Sequence, residues 1–169
     1  VDLIKGPKGT KVRLEIQRGE GAARLLQVVE LQRDAVRLED RAAKSSVMVA
    51  EGKKIGVINI RSFYNNLHLD VIKELEKLNQ QKVDGILIDL RDNGGGALSE
   101  ATDLTGLFIK SGPVVQVRDS IGRVATEEDT DGKSYYTGPL TILINRYSAS
   151  ASEIFSAALS DYGRALVVG

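Results

Sequence analysis

The sequence predicts an α/β fold of mixed sheets and helices. Three observations carry that reading. Continuous apolar strand patterns at 54–60, 83–90 and 140–144 are interleaved with helical patterns, the alternation of an α/β unit with parallel pairing. A triple glycine, Gly94-Gly95-Gly96, stands between one such strand and a helix. A serine-rich turn, Ser148-Ala149-Ser150-Ala151-Ser152, stands between a later strand and a helix.

The elements follow in order. Residues 1–6 read as a helix end, and Gly6-Pro7-Lys8-Gly9 is strong turn chemistry. A strand over 11–16 alternates Val12, Leu14 and Ile16 against Lys11, Arg13 and Glu15. Gly19-Glu20-Gly21 reads as a boundary loop, followed by a strand over 24–32. Weaker strands at 35–38 and 46–50 flank the charged turn Glu39-Asp40-Arg41, a solvated hairpin. After strand 54–60, Leu67, Val71, Leu75 and Leu78 mark one face of a helix over 65–80, with His68 beside the stripe. Strand 83–90 leads into the glycines. The next helix turns Ala97, Ala101, Leu104, Leu107 and Phe108 inward. Gly112-Pro113 precedes a strand at 114–118, and an acidic loop spans 126–138, long enough to be either mobile or functional. Strand 140–144 enters the serine turn. Helix 151–162 buries Ile154, Phe155, Ala158 and Leu159, ends at Gly163 and gives way to strand 165–168.

Bulk properties exclude several classes. The chain has 169 residues, 42% of them apolar and 27% charged, ordinary for a globular domain. A net charge of zero gives no reason to expect nucleic acid or an anionic membrane as partner. There is no cysteine, so disulfides and thiol chemistry are excluded. His68 is the single histidine, which argues against a histidine-rich metal site; no metal or cofactor is called for. No apolar run reaches the ~20 residues of a membrane span. The sequence starts without Met and stops on an apolar strand, so an excised piece of a longer protein is expected.

A serine at a strand-to-helix turn is exposed beside unpaired N–H groups, an arrangement that sets a nucleophile next to an oxyanion site. The competing reading is a helix cap, since serine is a favoured cap residue. The glycine loop has three readings: a phosphate cradle, a turn, or a place where another backbone comes close. It lacks the phosphate-loop spacings, and a plain turn needs one glycine rather than three, which favours close approach. Both loops follow strands and precede helices, so they can share one sheet edge. The base is less legible. Nothing brings His68 to Ser150. Asp161 lies eleven residues on, ~16 Å along a continuous helix, too far to act directly; Arg164 is available to neutralise it. Glu153 can close a capping box onto Ser150. A partly buried lysine suits the task in principle, and none lies near Ser150 in sequence.

Asp89-Leu90-Arg91-Asp92-Asn93-Gly94-Gly95-Gly96, Ser148-Ala149-Ser150-Ala151-Ser152-Glu153 and Asp161-Tyr162-Gly163-Arg164-Ala165 together resemble the carboxy-terminal processing proteases, closest to the tail-specific periplasmic branch. The resemblance spans nearly the whole chain. It implies a crotonase-like (ClpP-like) core at 54–169, linking strands at 19–53 and the end of a PDZ domain at 1–18. It implies a serine endopeptidase acting through a serine–lysine dyad on proteins with apolar C-terminal tails, in the periplasm or cell envelope, with an adaptor lipoprotein among its partners. Ser150 matches the nucleophile, Ala151 with Gly95 or Gly96 the oxyanion hole, and Asp161 a supporting aspartate. The matching lysine falls a few residues beyond Gly169, so this length of chain is expected to be inactive alone. The alternative is a peptide-binding module that works by strand addition; nucleotide binding at the glycines ranks last.

Overall fold

A computed structural model describes residues 4, 6–19, 25–34 and 42–169. The chain divides into two compact units, residues 1–40 and 41–169. In the first, β1 (Lys11–Arg18) pairs antiparallel with β2 (Leu25–Gln32), with Leu14 opposite Val29. Val12, Leu14 and Ile16 are the half-buried positions of β1, as the alternation predicts. The strand expected among the linking segments is therefore the partner of the first one. The expected helix end at 1–6 and the boundary loop fall largely outside the described residues, and the expected strand at 35–38 with the turn Glu39-Asp40-Arg41 wholly so.

The second unit is built on a five-stranded sheet. Its strands are β3 (Lys44–Ala50), β4 (Lys53–Asn59), β5 (Gly85–Asp89), β8 (Leu140–Leu143) and β9 (Leu166–Val168), in that spatial order. Strand β3 turns back through Glu51-Gly52 to pair antiparallel with β4. Residues 46–50 are thus the first arm of a different hairpin from the one expected. The remaining neighbours are parallel, with Ile58 beside Ile88 and Ile88 beside Ile142. Their central positions are Ile, Val and Leu because a parallel sheet is covered on both faces.

Three helices supply the cover. Helix α1 (Leu67–Gln80) buries Leu67, Val71, Leu75 and Leu78, the stripe read from the sequence. Helix α2 (Leu98–Gly106) is shorter than the pattern implied, since Leu107 and Phe108 are buried in the turn after it. Helix α3 (Ala151–Asp161) buries Phe155, Ala158 and Leu159; Ile154 is only half-buried, and Ser152 and Ser156 complete its inner face. Phe155 ties the layers together, its ring 6.2 Å from Phe63 and 6.0 Å, edge on, from Phe108. Fully burying each such ring stabilises by ~2 kcal/mol or more.

Between α2 and β8 lies a hairpin of β6 (Gly112–Arg118) and β7 (Val124–Asp129). Strand β7 occupies the first part of the expected 126–138 loop. Asp119 builds its turn, accepting the Ile121 and Arg123 N–H groups and pairing with the Arg123 side chain at 2.6 Å. A run so acidic carries little strand signal; its pairing with β6 overrides propensity.

Candidate active site

Strands β5 and β8 are parallel neighbours, so the loops that leave their C-terminal ends emerge together. One is the glycine loop and the other is the serine turn. Backbone and side-chain bonds join them. Leu90 N–H donates to the Leu143 carbonyl at 2.9 Å. Asp92 and Asn145 clasp each other: Asp92 N–H reaches Asn145 Oδ1 at 3.0 Å, and Asn145 Nδ2 reaches Asp92 Oδ1 at 2.9 Å.

Asn93 is the deeper joint, and it is fully buried. Its amide donates to the Ile60 carbonyl and accepts the Gly95 N–H, both at 2.9 Å. Its own carbonyl accepts the Ala149 N–H at 3.1 Å and the Ser152 hydroxyl at 2.9 Å. One residue therefore positions β4's end, the glycines and the start of α3.

The three serines are not equivalent. Ser148 Oγ donates to the Leu90 carbonyl at 2.8 Å and accepts the Asn145 N–H at 3.0 Å. Ser152 is fully buried on Asn93. Ser150 alone is exposed, at the N-cap of α3. Its φ of 56° and ψ of −115° are unusual for a residue with a side chain. Such strain persists only where the surroundings over-determine it, and it gathers at functional sites. Glu153 supplies part of the constraint: its Oε2 accepts the Ser150 N–H at 2.6 Å. The Glu153 N–H faces Ser150 Oγ in the reciprocal arrangement of a capping box without a full hydrogen bond.

Gly95 lies against this serine. A β-carbon there would sit 2.7 Å from the Ala149 oxygen, 2.8 Å from Ser150 Cβ and 2.9 Å from the Ala151 nitrogen, and φ is +97°. Gly96, at φ +153°, would drive a β-carbon into the Phe63 carbonyl. Phe63 N–H binds the Gly95 carbonyl at 3.0 Å, and Ala97 N–H binds the Phe63 carbonyl at 2.8 Å. Two of the three glycines are thus places where another backbone comes close. The Gly95 N–H is taken by Asn93, whereas the Gly96 and Ala151 N–H groups have no acceptor among the described residues.

The other expected residues lie elsewhere. Asp161 is exposed at the far end of α3. Arg164 does not neutralise it: that guanidinium donates to the Phe108 carbonyl at 3.0 Å and the Tyr136 carbonyl at 2.8 Å. His68 bonds Glu100 on α2, 2.8 Å away. Behind the site, Asp89 holds Arg91 in a two-pronged fork at 2.9 and 2.7 Å. The Arg91 hydrogen bonds keep the Asp89 carboxyl below the ordinary range despite its burial. The sequence assigns no individual role to Asn93, Asn145 or Asp92, although Asp92 and Asn93 stand in the motif that carries the resemblance. A short polar residue beside glycines looks like turn chemistry until its burial is known.

The profile of peptidase family S41 matches residues 54–169. The tail-specific protease of Haemophilus influenzae is 54% identical over 169 residues, covering 100% of this chain and 24% of that protein. The chloroplastic carboxyl-terminal-processing peptidase 2 of Arabidopsis thaliana is 34% identical, covering 99% of this chain and 32% of its own length. Among solved structures, the photosystem II D1 C-terminal processing protease superposes with a TM-score of 0.76 at 26% identity, over 98% of this chain and 45% of that one. The chain spans between a quarter and a half of the length of these relatives.

Proposed function

The chain belongs to peptidase family S41, and from that premise we propose that it is part of the catalytic core of a serine endopeptidase with Ser150 as nucleophile. The observation that carries the reading is the contact of Gly95 with Ser150 and Ala151. It packs the glycine loop against a strained, exposed serine and the Ala151 N–H, and both that donor and the Gly96 N–H next along the loop lack acceptors among the described residues.

In this reading Ser150 Oγ attacks a peptide carbonyl carbon. The oxygen of that carbonyl becomes an oxyanion held by the Ala151 N–H, with the Gly96 N–H as second donor. Gly95 N–H already serves Asn93, so Gly95 contributes the open space and Gly96 the proton. A general base takes the Ser150 hydroxyl proton and returns it to the departing nitrogen as the C–N bond breaks, which leaves an acyl-serine that water then hydrolyses. Asp161, at the opposite end of α3, supports the helix rather than the reacting atoms.

The base is a lysine beyond Gly169. Strand β9 runs parallel to β8, and Ile144 N–H bonds the Val168 carbonyl at 2.9 Å beside the entrance to the serine turn. A longer chain therefore leaves β9 at the same sheet edge as Ser150, where a desolvated lysine would have its pKa lowered towards neutrality. The 169 residues alone are then inactive. Proteins with apolar C-terminal tails are the substrates, an adaptor lipoprotein is a further partner, and the setting is the periplasm. Residues 1–18, with β2 paired to them, are read as the end of a PDZ domain. No helix among the described residues is long and apolar enough to cross a membrane.

The test is a chain extended by about thirty residues, assayed on a protein substrate with an apolar C-terminus. Activity that requires both Ser150 and a lysine in the added segment is the expected result. Cleavage indifferent to Ser150→Ala overturns the nucleophile; binding without any cleavage favours a peptide-holding module instead.

A further inference from the structure

Glu100 is a buried carboxylate with no part in the attack by Ser150. It is only 5% exposed and stands in the first turn of α2, close behind the glycine loop. Its two oxygens face three donors at the start of α1. Oε1 accepts the Asn66 N–H at 2.5 Å. Oε2 accepts the His68 N–H at 3.1 Å and lies 2.8 Å from His68 Nδ1, where a carboxylate keeps the ring proton.

These bonds supply a cap that α1 does not make for itself. Asn66 is its N-cap residue, lies at φ 70° and forms no side-chain capping bond. The first N–H groups of a helix have no intrahelical acceptor, and a carboxylate also suits the positive end of the helix dipole. Here the carboxylate comes from the neighbouring helix, so capping ties the start of α1 to the start of α2.

The same two segments also meet just upstream. Phe63 N–H donates to the Gly95 carbonyl at 3.0 Å, and Ala97 N–H donates to the Phe63 carbonyl at 2.8 Å. This parallel bridge sets Phe63 opposite Gly96. Residues 63–66 and 97–100 therefore close a ring, with a backbone pin at one end and the Glu100 carboxylate at the other. In a parallel pair, the residue between the two bonded ones turns its own N–H to the opposite side. Gly95 and Ala97 bond Phe63, so the Gly96 N–H points away from it, and no described residue accepts that proton. How steadily the N–H is presented depends on how firmly Phe63 is held. Asn93 secures one flank through the Ile60 carbonyl, and Glu100 secures the other.

Resting on the reading of Gly96 as an oxyanion donor, we infer that Glu100 is a positioning residue for the oxyanion site: capping α1 from α2, it locks the Phe63–Gly96 bridge and so aims the Gly96 N–H. Position 100 then requires a carboxylate and not merely a polar side chain. Every partner is a donor, so a glutamine there would have to turn its own NH₂ towards one of them.

The test uses the chain extended beyond Gly169, with a protein substrate that has an apolar C-terminus. Glu100→Gln should lower kcat by ~10–100-fold, the cost of a misdirected donor. KM should stay close to its parent value, as it does when an interaction made only in the transition state is lost. Amide hydrogen exchange reports the clamp without any cleavage. The Phe63 and Ala97 N–H groups should exchange ~10-fold faster in the variant, while Leu90 N–H, bonded to Leu143, keeps its rate. Thr105→Val is the control for destabilisation alone. It removes a buried hydrogen bond to the Ala101 carbonyl within α2, and should lower the melting temperature and leave kcat unchanged. His68→Leu keeps both backbone N–H groups on Glu100 and removes only the ring. It should move exchange and kcat the same way but less, and it keeps the test decisive if Glu100→Gln does not fold. Exchange that does not quicken, exchange that quickens with kcat unmoved, or a fall in kcat matched by Thr105→Val overturns the inference. Cleavage that survives Ser150→Ala overturns the protease reading and the inference with it; cleavage that needs Ser150 but is indifferent to Glu100→Gln overturns the inference alone.

Discussion

Gly95 and Ser150 are in backbone-to-side-chain contact across two loops, 2.8 Å separating Ser150 Cβ from where a β-carbon of residue 95 would be. That distance leaves no room for a methyl group. The contact explains why residue 95 is a glycine and how the serine is held at its unusual φ: the loop is a mould for the turn.

Gly95→Ala is accordingly expected to fail on two counts. The methyl would collide with the Ala149 carbonyl and the Ala151 nitrogen as well as with Ser150, and φ +97° is strained for alanine. Overpacking costs ~1–3 kcal/mol and the dihedral ~1–3 more. Denaturant unfolding should show a loss of at least ~2 kcal/mol, and the extended protease should lose activity even where it stays folded. Gly94→Ala is the control, since nothing lies within 4 Å of its added carbon. Equal losses at both positions would mean that loop flexibility, and not the contact, is what matters.

Ser150 carries the opposite expectation. At φ 56° and ψ −115° the side chain is held at a cost, and Ser150→Gly removes the strain. Against the entropy that glycine adds to the unfolded chain, a net gain of ~1 kcal/mol is expected. Ser150→Ala keeps the β-carbon and should leave stability within ~0.5 kcal/mol. A nucleophile that can be exchanged for a more stable residue is a residue kept for chemistry. If Ser150→Gly proves less stable than Ser150→Ala, the strain is not real.

Asn93 should be the most sensitive side chain near the site. Asn93→Ala leaves the Ile60 carbonyl and the Gly95 N–H unpaired in a buried position. Each such orphan costs ~1–3 kcal/mol, so the total is ~3–5 kcal/mol. Asn93→Asp restores the acceptor for Gly95 but buries a charge without a donor for Ile60 and should be no better at neutral pH. Ser152→Ala, which removes one bond to the Asn93 carbonyl, should cost only ~1 kcal/mol. Thermal denaturation of the three variants orders them.

Much of this architecture is visible in the residues themselves. The stripe of α1 and the apolar runs of β4, β5 and β8 appear because burial imposes their periods. The pairing of the two loops follows from strand order alone. Strand β7 and the β3–β4 hairpin do not appear in this way: β7 is acidic, and the turn Glu51-Gly52 carries a weaker signal than the run of charge at 39–41. The division of labour among Ser148, Ser150 and Ser152 was legible only through family resemblance. Residues of one type at spacing two differ by which backbone groups they meet, and those groups lie some sixty positions away in the chain. Arg164 shows the reverse hazard, because proximity in sequence to Asp161 suggested a pair that the fold does not make.

Acid should destabilise the chain through Asp89 and Glu74. The Arg91 hydrogen bonds hold Asp89 below the usual carboxylate range; at Glu74 burial works upward, but the donors on Lys77 and Ser45 outweigh it. A depressed folded pKa means that the unfolded chain binds the proton first. The stabilisation is therefore complete above the unfolded pKa of about 4 and is lost as pH falls through the lower folded value. Asp89→Asn should lower the melting temperature at pH 7, and the difference should shrink as pH falls through the lowered folded value, where the parent carboxyl takes up its own proton. Asp103 and Asp129 carry the opposite sign. Burial raises both, so their ionisation weakens the fold as pH rises from the unfolded pKa through the folded one. Asp129→Asn should then raise the melting temperature at pH 7 while Asp89→Asn lowers it. Two Asp→Asn changes of the same sign at that pH would show that one of the two carboxylates does not feel the surroundings described here.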